Sequence, residues 1–192
     1  MAASRRLRRE TLHGYERRLA KIGSEIRRIR ECAGLPQHVA EEAGALVKRF
    51  FDLVAGFPPE VVAVAVLWTA AKAAGMPRPL EDFLKCSKAS GRRVRRVVWK
   101  AERSNEAGEE APLEDYVKTL AARVNLPAPV VKSAVELLER NRRLLFGKNP
   151  WVSAAAALWL ASLKRLGLLK RPAEASNTTP TSIRKAADRM RV

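Results

Sequence analysis

The 192-residue chain carries 37 Lys and Arg against 20 Asp and Glu, a net charge of +17, with a pI near 10.9. That field suits a polyanion, nucleic acid first and an anionic membrane surface second. A hydrophobic share of 47% excludes wholesale disorder and is enough for one large domain or two of roughly 90 residues each.

Residues 1–14, opening Met1-Ala-Ala-Ser-Arg-Arg-Leu-Arg-Arg, read as a basic extension. They run into charged sequence and not into an apolar signal segment. Ile22, Ile26 and Ile29, then Val39, Ala43, Leu46 and Val47, recur at helical spacing and predict helices over 15–33 and 37–54. Pro58-Pro59 marks the start of a third over 59–74, and shorter helices are predicted over 79–86 and 91–104. A polar, acidic segment with Gly and Pro, 105–112, reads as a linker. Five further helices follow, over 113–124, 128–145, 150–166, 171–176 and 180–191. Asn149-Pro150 and Thr179-Pro180 each place a capping side chain before a Pro at the first turn.

The second set of helices repeats the first. Leu35-Pro36 and Val39 recur as Leu126-Pro127 and Val130, an offset of 91 residues. Ile26, Ile29, Ala43, Leu46, Ala63, Leu67, Trp68 and Ala70 find Val117, Leu120, Ala134, Leu137, Ala154, Leu158, Trp159 and Ala161 at the same offset. Near the end of each half the register slips: Arg78-Pro79 matches Arg171-Pro172, and Ser87 and Val94 match Ser176 and Ile183. The expected organisation is the extension 1–14, a first repeat 15–104, the linker 105–112 and a second repeat 113–192. The third helix of each repeat, centred on Val61 to Ala71 and Trp151 to Leu163, is apolar nearly all round and should lie enclosed by its neighbours. Val62 to Val66 could also read as a buried strand, but its counterpart Ser153-Ala154-Ala155-Ala156-Ala157 carries no β signal, which decides for helix. The uncharged stretches Val61–Ala71 and Asn149–Leu163 stop at Lys72 and Lys164, short of the ~18 to 20 residues that span a bilayer. A cytoplasmic, nucleoid-associated protein is expected.

Cys32 and Cys86, in no CxxC spacing and far in sequence from His13 and His38, write no zinc site; each is read as a small semi-buried apolar side chain. The single Gln beside abundant Arg and Glu leans toward a thermophilic source. The chain has no P-loop, no GxGxxG after a strand and no recognisable Cys–His or Ser–His setting, so neither catalysis, a cofactor nor a small-molecule substrate is expected. His13 and His38 read as surface side chains. The four tryptophans read as packing residues, with Trp99 placed to lie at an interface.

The charge is concentrated. Between 85 and 103 eight Lys or Arg face one Glu, and Arg92, Arg93, Arg95, Arg96 and Lys100 form a candidate surface for phosphates or an acidic partner. Each repeat ends in a short helix, a turn and a second helix, the layout of a helix-turn-helix whose second member can enter a major groove. In the second repeat Thr179 caps that helix, and Thr181, Ser182, Arg184 and Lys185 lie at its N-terminal end. Arg can read guanine bidentately, and Thr can meet a thymine methyl.

Pro112-Leu113-Glu114-Asp115-Tyr116-Val117, Leu126-Pro127 and Gly147-Lys148-Asn149-Pro150 running into Ala154 to Ser162 resemble the second cyclin repeat of archaeal transcription factor B, the counterpart of TFIIB. The first repeat is similar through Ser24 to Ile29 and Leu35 to Val39. The likeness covers residues 16 to 192. It implies an all-α fold of two tandem five-helix cyclin-like repeats, the last two helices of the second forming a helix-turn-helix. It further implies a protein that clamps TATA-binding protein on double-stranded promoter DNA, with RNA polymerase as a further partner, and that reads an element upstream of the TATA box. Under the resemblance Thr181 and Arg184 flank the Ser182-Ile183 pair where the family has a Val and an Arg, Lys148 is a DNA contact, and the basic fifth helix faces the acidic stirrup of TATA-binding protein. The family's zinc ribbon is not written here, nor are basic residues in the loop Ala55 to Glu60, and the inter-repeat linker is unusually acidic. A ribbon-less paralogue acting as a modulator, or a core fragment, is therefore the expectation. A cyclin-like protein-binding adaptor and a non-specific nucleic-acid binder are the alternatives.

Overall fold

The computed structural model describes residues 2–52, 54–103, 111–162 and 166–190, without the side chains of 2–13, 102 and 166–168. The linker expected at 105–112 lies mostly outside the described residues, as do the ends expected for the helices at 104, 163–165 and 191. Among the described residues there are eleven helices and no strand: α1 (Ala2–Ala33), α2 (Gln37–Arg49), α3 (Pro59–Ala73), α4 (Leu80–Lys85), α5 (Gly91–Arg103), α6 (Leu113–Arg123), α7 (Ala128–Arg140), α8 (Arg142–Leu145), α9 (Pro150–Ala161), α10 (Leu166–Ala175) and α11 (Pro180–Arg189). The chain divides into two compact units, Met1–Ala74 with Leu80–Glu109, and Gly75–Pro79 with Glu110–Val192.

In the first unit α3 packs against α1, α2, α4 and α5, and Val61 to Leu67 are all buried. A helix with that sequence has no polar face to offer water, so it folds only where neighbours surround it. In the second unit α9 holds the same place against α6, α7, α10 and α11, with Ala154 to Leu158 fully buried. Short alanines let the surrounding helices approach closely, while Tyr116 and Trp151 meet edge to face, ring centroids 4.9 Å apart.

The two units close equivalent turns by equivalent chemistry. Gly34 (φ 61°) and Asn125 (φ 53°) both take the left-handed conformation. After each, the next N–H reaches back to the last helical turn, Leu35 to Arg30 O and Leu126 to Ala121 O, both at 3.0 Å. That left-handed closure satisfies helix-end carbonyls that would otherwise be orphaned, and Gly and Asn are the residues that adopt it most readily. Pro36 and Pro127 then precede α2 and α7.

Three elements differ from the sequence expectation. α1 begins at Ala2 and not at 15, where the helix was expected to start; Gly14 alone costs a helix only about 1 kcal/mol relative to Ala. The helix expected over 128–145 breaks at Asn141, whose side-chain amide donates to Leu137 O at 2.9 Å, so α8 is a separate turn. α10 begins at Leu166, ahead of the start expected at 171, and holds Pro172 inside it; the missing N–H leaves one rung of the helix unmade.

The cysteines require a correction. Cys32, at the end of α1, and Cys86, just after α4, form a disulfide with Cα atoms 5.8 Å apart at a sequence separation of 54. They are not separate apolar side chains. The helix ends that carry them meet because α1 and α4 pack together, a proximity that sequence spacing does not reveal. Beside the bridge, Arg28 donates to Cys86 O at 2.8 Å and to Glu25 at 2.6 Å; the Glu25 hydrogen bond holds the guanidinium above its ordinary pKa.

Candidate nucleic-acid interface

α11 exists because its two faces differ. Ile183 and Ala187, four residues apart, are fully buried in the second core, leaving Thr181, Arg184 and Lys185 exposed on the other side. Thr179 caps the helix, accepting from Ser182 N at 3.2 Å, and its hydroxyl meets Ser182 Oγ at 2.8 Å. Ser182 is thus engaged in the cap, and Thr181, Arg184 and Lys185 are the side chains that project. The turn before α11 is held by Ser176, whose hydroxyl bonds Pro172 O and lies 2.8 Å from Thr178 Oγ1. Asn177 takes φ 52° there, and Thr178 N closes on Ala173 O at 2.9 Å. Helix, fixed turn and second helix therefore follow in the order a helix-turn-helix needs.

Lys148 reaches the same region from another element. It follows Gly147, at φ 69°, in the turn between α8 and α9, where Asn149 caps α9 by accepting from Trp151 N at 2.9 Å. Lys148, Ser182, Lys185 and Arg189 line one cavity of about 220 Å3, floored by Leu144, Leu145, Val152 and Ala186. Three cations and no carboxylate stand on its wall. Sequence inspection named Lys148, Ser182 and Lys185 but missed Arg189; its spacing of four from Lys185 on an amphipathic helix was the available signal.

In the first unit α5 presents a sharply divided surface. Val94, Val97, Val98 and Ala101 are buried, and Arg92, Arg93, Arg95, Arg96 and Lys100 are exposed. Gly91 opens the helix where a Cβ would stand 3.0 Å from the tip of the Leu84 side chain, so a side chain there would require Leu84 to shift. Arg95 pairs with Glu81 of α4 at 3.4 Å. Lys100 sits 5.3 Å from the Phe57 ring and Arg103 4.8 Å from that of Trp99, which is 54% exposed. Trp151 and Trp159 are core residues, Trp68 is half-buried and His38 is exposed; the side chain of His13 lies outside the described residues.

No protein-family model matches the chain. It is 33% identical over 156 residues to transcription initiation factor IIB of Pyrobaculum islandicum, covering 78% of this chain and 46% of that protein. The factor of the same name from Caldivirga maquilingensis is 31% identical over 179 residues, 88% of this chain and 53% of that one. That from Methanoculleus marisnigri is 33% identical over 181 residues, 88% and 52%. The chain is a homologue of archaeal transcription initiation factor IIB. It spans about half the length of the curated relatives it matches. Those relatives are named as initiation factors and not as enzymes, and the all-helical architecture agrees with a cyclin-like fold. Among the described residues no helix is long and apolar enough to cross a membrane.

Proposed function

We propose that the chain works in transcription initiation as a factor-IIB-like core: it joins TATA-binding protein on double-stranded promoter DNA, and α11 reads the element upstream of the TATA box. The observation that carries this is the N-terminal end of α11, capped by Thr179 and projecting Thr181, Arg184 and Lys185 over a buried Ile183, in a homologue of an initiation factor. In this reading Arg184 meets a base edge, Lys185 and Lys148 meet phosphates, and Thr181, where the family has Val, alters the preferred element. The α5 surface of Arg92, Arg93, Arg96 and Lys100 meets an acidic partner, for which TATA-binding protein is the candidate.

The relatives are about twice as long as the region they share with this chain. A modulating or competing role in initiation complexes is part of this proposal. A gel shift with TATA-binding protein present and absent, on promoters carrying or lacking the upstream element, tests the reading. A shifted complex that needs both is expected. Affinity without preference would indicate a non-specific binder, and no affinity at any salt would indicate a protein-binding adaptor.

A further inference from the structure

α4 is only six residues long and buries two of them, Leu80 and Phe83. A helix that short does not sustain itself, so its place depends on what ties it down. The Cys32–Cys86 bridge is a covalent tie, joining the end of α1 to the residue that follows α4. Cys86 is buried but Cys32 is exposed, so the bridge is open to solvent from one side. Two contacts lead from α4 to the basic helix. The Leu84 side chain lies against the start of α5, 3.0 Å from where a Cβ on Gly91 would stand, and Glu81 pairs with Arg95 at 3.4 Å. The turn between the helices is held by short local bonds, Ser87 N to Leu84 O and Ala89 N to Ser87 Oγ, both at 3.2 Å.

We propose that the bridge is a redox-controlled latch on α5: oxidised, it holds the α4–α5 turn and the N-terminal half of the basic face ready for an acidic partner, and reduced, it lets that turn loosen and weakens binding. The inference rests on the reading of α5 as a partner-binding surface and adds its regulation. The reductant is a dithiol. Its thiolate attacks the exposed Cys32 sulfur, the bond between the two cysteines breaks, and Cys86 leaves as a thiolate that takes up a proton. The second thiol of the reductant then displaces Cys32 as a thiol, so the dithiol becomes a disulfide and two electrons and two protons pass to the protein. Arg28 still donates to Cys86 O at 2.8 Å after reduction, but one hydrogen bond contributes far less than the covalent tie. Val94, Val97, Val98 and Ala101 remain buried against the core, so release is confined to α4, the turn and the first residues of α5. Binding falls because Arg92, Arg93 and Arg96 must then be ordered as the partner docks.

The test compares the oxidised parent, the parent reduced with dithiothreitol, and Cys32→Ser/Cys86→Ser, at a temperature where circular dichroism shows all three folded. Hydrogen exchange should quicken over residues 80–96 in the reduced parent and the double variant and stay unchanged in the second unit. Affinity for TATA-binding protein on promoter duplex should fall about fivefold or more on reduction and recover on reoxidation. The double variant should bind as the reduced parent does and ignore dithiothreitol. Unchanged exchange over 80–96 would overturn the latch, as would quickening spread evenly through the first unit, which marks a general staple. Equal affinity in the two redox states, while Arg92→Glu/Arg96→Glu weakens assembly, would overturn it and leave the α5 reading standing. No effect of Arg92→Glu/Arg96→Glu would remove the α5 reading and this inference with it.

Discussion

At the residue scale the most consequential side chain of α11 is one that touches no ligand in the proposed function. Thr179 fixes where the helix begins by accepting the Ser182 N–H at 3.2 Å, and so sets which side chains stand at the exposed end. Removing an N-cap costs about 1 kcal/mol. Thr179→Ala should therefore lower the thermal midpoint modestly, and Thr179→Ser should restore it; a midpoint unmoved by Thr179→Ala would mean the cap is dispensable. The cap, the inward Ile183 and the outward Arg184 were all legible in the sequence, because capping and four-residue spacing are local. Arg189 was legible too, by its spacing of four from Lys185, but was overlooked. What the sequence could not show is that Lys148, from another element, lines the same cavity.

At the element scale the two ends of α5 pose separate questions. Its outward charge is available for binding, but Arg95 is already paired with Glu81, so Arg92 and Arg96 are the better probes. Arg92→Glu/Arg96→Glu should weaken assembly on TATA-binding protein and DNA and reduce its salt sensitivity. Unchanged assembly by gel shift would reduce that face to a solvated surface. The turn leading into α5 is tied to α1 by Cys32–Cys86. Closing a loop of that length stabilises a chain by about 4 kcal/mol in the entropy account. Cys32→Ser/Cys86→Ser, or reduction of the parent, should therefore lower the melting temperature in calorimetry, and equal melting of the oxidised and reduced forms would contradict the contribution. The helices themselves were readable from periodicity and punctuation. The bridge was hidden by its 54-residue separation, and the break at Asn141 by a side-chain hydrogen bond that no hydrophobic pattern records. The start of α10 was expected too late, at 171, because the packing of α10 against α6, α9 and α11 keeps Pro172 within a helix that begins at Leu166.

At the scale of the whole molecule the recurrence of residues at an offset of 91 accounts for most of what the sequence disclosed. Two central apolar helices, α3 and α9, could be recognised as core because each validates the other, and the same left-handed turn follows α1 and α6 at Gly34 and Asn125. The two units differ at their last helices: the first carries a dense basic α5, the second a capped α11 beside a cationic cavity. The net charge of +17 guarantees some affinity for any polyanion, so affinity alone cannot distinguish a promoter-reading factor from a general binder. The deciding measurement is a double comparison: the affinity of the parent, Arg184→Ala and Lys185→Ala for TATA-binding protein on a promoter with its upstream element intact and scrambled. The account predicts that Arg184→Ala costs about 1 to 3 kcal/mol on the intact element and almost nothing on the scrambled one, while Lys185→Ala weakens both equally. Equal losses on the two promoters for Arg184→Ala would contradict it, reducing α11 to a helix that grips the backbone without reading sequence.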